Sequence, residues 1–184
     1  MPIQKITKEE ILTKALDLFQ RQGYHPTSME QIAQACNLKK GSFYYYFKGK
    51  EEIMIEALQM ALNFFREKVF VIAQQNELTA PERLEKMLKK HSRIVSEKKL
   101  GCLFGKMSLE IGHESPAFKL ILQAFFEDWM QALSQIYEAK YQPEFAQQLA
   151  HQTMIEMEGA SILMQVYDNE VIIENCCKKI INRF

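Results

Sequence analysis

Lys39-Lys40-Gly41-Ser42-Phe43-Tyr44-Tyr45-Tyr46-Phe47-Lys48-Gly49-Lys50 places four lysines, three tyrosines and two glycines in twelve residues. That mixture suits a polyanion. Lys40, Lys48 and Lys50 supply the positive charge that phosphate contacts need. A phenol offers a flat apolar face to sugar or thymine methyl and a hydroxyl to phosphate. Gly41 lets the backbone come close to a base edge or a phosphate. Phe43 and Phe47 lie four apart, on one helical face, where they can anchor against Ile32, Leu16 and Phe19. Tyr44, Tyr45 and Tyr46 cannot all share that face, so some of them point outward.

The other chemistry-bearing residues give less. Gly101-Cys102-Leu103-Phe104-Gly105-Lys106 resembles a phosphate loop only superficially: the glycines are too close together, and Met107 stands where a magnesium-binding Ser or Thr belongs. His113-Glu114 has no second histidine at helical spacing, and His151, Glu156 and Glu158 are scattered along one helix. No catalytic group, metal site or cofactor is therefore expected. Cys102 has two readings. Lys98, Lys99 and Lys106 around it, with a helix N-terminus, favour a thiolate; a free cysteine is more commonly a small buried hydrophobe. Cys36 falls on an inward helical face. Cys176 and Cys177 point about 100° apart, which leaves contact across a dimer interface open.

These residues need elements to hold them, and the chain of 184 residues reads as helices throughout. Apolar residues recur at intervals of three and four over 8–22, with Thr7 and Glu10 as a capping box and Gly23 as a stop. Ser28 and Gln31 form a second box. Asn37, which tolerates a left-handed backbone, ends the second helix. A third short helix spans about 39–46, and a long segment runs from Lys50 to about Gln75. Pro81, Pro116 and Pro143 open helices at about 81–97, 116–140 and 143–166. Short helices near 102–112 and 169–183 bring the count to about nine, without a strand. The expected fold class is all-α. The spacing over 27–52 makes a helix-turn-helix, a unit that sets its second helix in the DNA major groove.

Composition agrees. Apolar residues make up 47% and charged residues 25%, a core-forming balance. Lys plus Arg and Asp plus Glu are 23 each. The neutrality hides an asymmetry, because residues 1–50 carry a net charge of +4 and the rest −4; a basic front end suits nucleic acid. No apolar run approaches the roughly 18 residues of a membrane span. The first residues lack a signal-peptide core, so a cytoplasmic protein with free thiols is expected.

The stretch Thr27-Ser28-Met29-Glu30-Gln31-Ile32-Ala33, followed by Lys40 through Ile53, resembles the DNA-binding signature of TetR-type bacterial transcriptional regulators. The resemblance covers about the first 55 residues, and the helical remainder is similar in length and helix count. It implies a homodimer that binds a double-stranded palindromic operator and releases it on meeting a small-molecule effector. It also implies a helix-turn-helix domain over 1–50 and a helical effector-binding and dimerisation domain over 51–184. Carried over by position, Lys40, Gly41, Ser42, Tyr44, Tyr45 and Tyr46 face DNA, with Thr27 and Lys50 on phosphate. Lys39 departs from the pattern, where a serine cap is common, so that either the third helix starts less firmly or Lys39 adds a phosphate contact instead; Lys48 flanks the same surface. Gly101-Cys102-Leu103 is similar to the subgroup that includes the N-ethylmaleimide reductase repressor, a sensor of reactive electrophiles, which points to Cys102.

The same resemblance implies a cavity, for which Phe64, Phe65, Met87, Cys102, Phe104, Met107, Phe125, Phe126 and Trp129 are the candidate lining, although each taken singly reads more readily as plain core. Apolar and small residues on the last two helices (Leu149, Met157, Ala160, Met164, Ile172, Cys176 and Ile180) are the candidate dimer interface, a four-helix arrangement with the symmetry mates. The long helix starting at Lys50 is the natural lever between DNA and effector.

Overall fold

Thr7 and Glu10 close the expected capping box, and the helix they start, α1, runs over Lys8–Gln22, burying Ile11, Leu12, Ala15 and Phe19. The computed structural model describes residues 6–97 and 100–184, and of Lys40 and Ser42 the backbone only. The remaining helices are α2 (Met29–Ala35), α3 (Lys40–Tyr46), α4 (Lys50–Lys68), α5 (Ala80–Ser96), α6 (Leu103–Ile111), α7 (Pro116–Tyr137), α8 (Pro143–Tyr167) and α9 (Val171–Ile181). No strand occurs among the described residues.

The long segment after Lys50 is not one helix. It stops at Lys68, and a 3₁₀ turn over Phe70–Gln74 tucks Phe70, Ile72 and Ala73 inward. Apolar residues continue across the break, so periodicity alone ran on through it. Thr79 and Glu82 make a third capping box, which fixes the start of α5 one residue before Pro81.

Two compact units result. One holds the chain up to Leu62 together with Met107–Leu122; the other holds Asn63–Lys106 with Gln123–Phe184. The expected 1–50 domain is thus only part of the first unit. The reason lies at the turn after α1. Gly23 has φ 94°, and a Cβ there would sit 2.8 Å from Glu110 Oε1. Only glycine satisfies both demands. The Glu110 carboxylate then accepts from the Tyr24 and His25 backbone N–H groups at 2.7 and 3.1 Å. Glu114 lies 2.7 Å from His25 Nε2, and Phe118 meets the Tyr24 ring edge-on at 5.6 Å. These three residues bind 107–122 into the same unit as the helix-turn-helix.

In the second unit α8 packs on α9, and both lie against α5. A buried hydrogen bond of 2.8 Å joins Tyr137 Oη and Thr153 Oγ1, and Arg66 pairs with Asp128 at 2.6 Å between α4 and α7.

Candidate nucleic-acid interface and inner polar cluster

The first unit builds its exposed aromatic face from a tight turn. Asn37 adopts φ 55°, and the Leu38 N–H donates to Ala33 O at 2.9 Å, so α2 ends and the chain reverses into α3 across the four residues Cys36 to Lys39. Lys14 Nζ donates to Ala35 O at 2.9 Å and neutralises the carbonyl end of α2. Phe43 and Phe47 are buried, with ring centroids 5.9 Å apart, and pin the inner face of α3.

Pinning that face turns the tyrosines outward. Tyr45 is 85% exposed and Tyr44 47%, while Tyr46 is half-buried with its ring edge-on to Tyr45. A Cβ on Gly41 would meet nothing within 4 Å, so no neighbouring protein atom requires that glycine, and the surface there is open. Lys39 and Lys48 are exposed beside it; Lys39 caps α3 without a side-chain hydrogen bond. The side chains of Lys40 and Ser42 lie outside the described residues.

Two expected phosphate ligands stand differently. Thr27 is enclosed at 1% exposure: its hydroxyl donates to Gly23 O at 2.6 Å and accepts from Gln22 Nε2 at 3.0 Å. The hydroxyl at the head of α2 that faces solvent belongs to Ser28, whose Oγ accepts from the Gln31 N–H. Thr27 therefore holds the turn between α1 and α2, a role that its position before the cap residue gave no sign of. Lys50 donates to Tyr24 O at 2.8 Å and His25 O at 3.2 Å, with Nζ 4.2 Å over the Tyr24 ring. It clamps the same turn that Glu110 holds from the other side.

In the second unit the residues expected to line a cavity pack on one another. Phe104 and Phe125 stack at 3.9 Å with their planes 3° apart, and Phe65 stands edge-on to both. Phe65, Met87, Phe104, Phe125 and Trp129 are buried. Phe126 is half-buried against Phe125, whereas Phe64 is 46% exposed on α4. Met107 is buried in the first unit.

A cluster that sequence spacing did not show lies beside these rings. His91 on α5, Cys102 before α6 and Glu158 on α8 bring one N, one S and one O atom within 4.8 Å of one another. His91 stacks on Trp129 at 4.2 Å and neither of its ring nitrogens has a hydrogen-bond partner; Trp129 Nε1 and Glu158 Oε1 are also buried and unpartnered. Unsatisfied buried groups of this kind cost about 1–3 kcal/mol each. Burial pushes the His91 imidazole down to about 3. The Cys102 thiol, 6% exposed, is pushed well up by burial first and then by the Glu158 charge and hydrogen bond. Burial raises the Glu158 carboxyl too. The Gly105 N–H at 3.4 Å from Sγ is the helix-terminus contact that favours thiolate, and it is outweighed. Cys102 is thus a protonated core thiol at neutral pH. Lys98 and Lys99, invoked for the opposite outcome, lie outside the described residues. His91, 11 residues from Cys102 and 67 from Glu158, carried no spacing signal at all.

The expected dimer residues divide. Met157, Ala160, Met164 and Ile180 are buried inside their own chain, whereas Leu149, Ile172 and Cys176 are half-buried. The apolar side chains that α8 exposes beside these are one register over and include Ile155, Ile162, Leu163 and Val166, with the open Gly159 among them. Both stripes of α8 are apolar, so the sequence did not distinguish inner from outer.

Residues 11–57 match the family model for bacterial regulatory proteins of the tetR family, and residues 81–179 match the C-terminal domain of LmrA/YxaF-like transcriptional regulators. The chain belongs to the TetR family. It is a ligand-responsive, DNA-binding transcriptional regulator. Among relatives, an HTH-type transcriptional regulator from Lactococcus lactis is 25% identical over 92% of this TetR-family chain and 88% of its own. The negative regulator of the biofilm operon icaADBC, IcaR, of Staphylococcus epidermidis is 36% identical over 32% of this chain and 31% of its own. A TetR transcriptional regulator from Legionella pneumophila superimposes over all of both chains with a TM-score of 0.89 and 26% identity. Reduced Escherichia coli NemR shares the fold over 95% of both chains, with a TM-score of 0.78 at 19% identity.

Proposed function

We propose that this TetR-family chain is a repressor that binds a pseudo-palindromic operator as a homodimer and leaves it when an effector engages the second unit. The observation that carries the reading is the outward face of α3, where Tyr44 and Tyr45 stand exposed between Lys39 and Lys48 on a helix pinned from behind by Phe43 and Phe47. Repression is supported by IcaR, a negative regulator, among the relatives. Two such helices, carried by a symmetric dimer, read major grooves about 34–36 Å apart. The effector shifts the equilibrium only by its differential affinity for the bound and released states.

Dimerisation through the outer stripe of α8 follows from Ile155, Ile162, Leu163 and Val166, which a lone chain leaves in water. Ile162→Glu is expected to convert the dimer to a monomer in sedimentation velocity and to weaken operator binding with it. A variant that remains dimeric contradicts this interface. No helix among the described residues is long and apolar enough to cross a membrane.

The link from effector to DNA is proposed to run along α6 as well as α4. Cys102 immediately precedes α6, and Glu110 near its end holds the turn between α1 and α2. The alternative, direct electrophile sensing by Cys102, needs a thiolate that burial and Glu158 oppose. Release of operator by N-ethylmaleimide from the wild type but not from Cys102→Ser would favour it; equal release from both would remove it.

A further inference from the structure

We propose that His91, Cys102 and Glu158 form a binding site for a thiophilic divalent cation of the zinc class. The three come from three separate elements, α5, the residue before α6, and α8, and their donor atoms already lie within 4.8 Å of one another. An ion at about 2.0–2.3 Å from tetrahedral N, S and O ligands sets those atoms about 3.3–3.8 Å apart, so closure needs a contraction of about 1 Å. Imidazole, thiolate and carboxylate together suit zinc and exclude calcium and magnesium, which take oxygen donors.

The surroundings point to a ligand for these groups. Both nitrogens of His91 and Oε1 of Glu158 are buried without a partner, which leaves donor electron pairs free to bind an ion. Stacking on Trp129 fixes the His91 ring plane, so the imidazole is preorganised. Ser161 Oγ accepts from the Cys102 N–H at 3.0 Å, and the Gly105 N–H donates to Sγ at 3.4 Å, which together orient the sulfur. Gly105 is the residue that admits the carboxylate, since a Cβ there would lie 2.4 Å from Glu158 Oε2.

Charge balance favours the ion as well. A thiolate and a carboxylate bring −2, the imidazole is neutral, and a divalent cation makes the buried cluster neutral overall. On binding, the Cys102 thiol proton passes to solvent and an S–metal bond replaces the S–H bond. Water or a donor atom of an effector completes the coordination. The site stands on this cluster alone and does not depend on which operator or effector the regulator uses.

Cobalt(II) is the probe for the test, added to the chelator-treated full-length protein. One equivalent per chain is expected to give tetrahedral ligand-field bands and a thiolate-to-metal charge-transfer band, both removed by competing zinc. Cys102→Ser is expected to abolish the charge-transfer band. His91→Phe, which keeps a ring against Trp129, and Glu158→Gln are each expected to weaken binding by about 100-fold or more. Cys176→Ser is expected to bind as the wild type does. Circular dichroism identifies any variant that has not folded, and each of the other ligand variants then serves independently. The site is refuted by a wild-type chain that gives no charge-transfer band at excess cobalt, by a band that survives Cys102→Ser, or by wild-type affinity in both folded His91→Phe and Glu158→Gln.

Discussion

Tyr45 and Phe43 sit two residues apart on α3 and do opposite work. The phenol of Tyr45 is 85% exposed, with the Tyr46 ring edge-on to it, whereas Phe43 is fully buried. Tyr45→Ala should leave stability within about 0.5 kcal/mol of wild type, while Phe43→Ala should cost about 3–5 kcal/mol; urea denaturation of the two variants checks both. The inner polar cluster makes a prediction in pH. His91 is held neutral down to about 3 in the folded chain, against 6.5 for the ordinary imidazole. Between those values the unfolded chain takes up a proton that the folded chain refuses, so stability is lost as pH falls from about 6.5 towards 3, at up to about 1.4 kcal/mol per pH unit. His91→Phe should flatten that slope in chelator-treated protein followed by denaturant titration. Glu158 has the opposite sign: its raised carboxyl value destabilises the fold as pH rises above the ordinary carboxylate range.

Among the elements, the turn between α1 and α2 has the clearest division of labour. Glu110 accepts its two backbone N–H groups, and Lys50 donates to its two carbonyls. Glu110→Ala leaves the partly buried Tyr24 N–H and the exposed His25 N–H without a charged acceptor, so a loss of about 1–2 kcal/mol in stability is expected, together with weaker operator binding in a fluorescence anisotropy titration. None of this was legible from the sequence, because Gly23 read as a simple helix stop and Glu110 lies 87 residues away. What was legible is local. The capping boxes at Thr7 and Ser28, the left-handed Asn37 and the phenylalanine pair on α3 each declare themselves within four residues. The fold class and the exposed tyrosine face follow from such short-range signals. The register of α8 does not, because Ile155, Ile162 and Val166 alternate with Met157, Ala160 and Met164 on a helix apolar on both sides. The cluster of His91, Cys102 and Glu158 is likewise a product of tertiary packing alone.

For the whole molecule, the division into two compact units matters most. The helix-turn-helix shares its unit with 107–122, so α6 and α7 each contribute residues to both units. The asymmetry of charge, +4 over residues 1–50 and −4 beyond, keeps the attraction for phosphate at one end of the chain. The decisive measurement is an anisotropy titration of the full-length protein with a duplex carrying the palindrome nearest its own gene, repeated across a range of salt concentrations. The expected result is tight binding whose logarithm falls linearly with log salt, a loss of about 1–3 kcal/mol for Tyr44→Ala or Tyr45→Ala, and a smaller salt slope for Lys48→Ala. Binding that ignores salt, or that all three substitutions leave unchanged, would contradict the account.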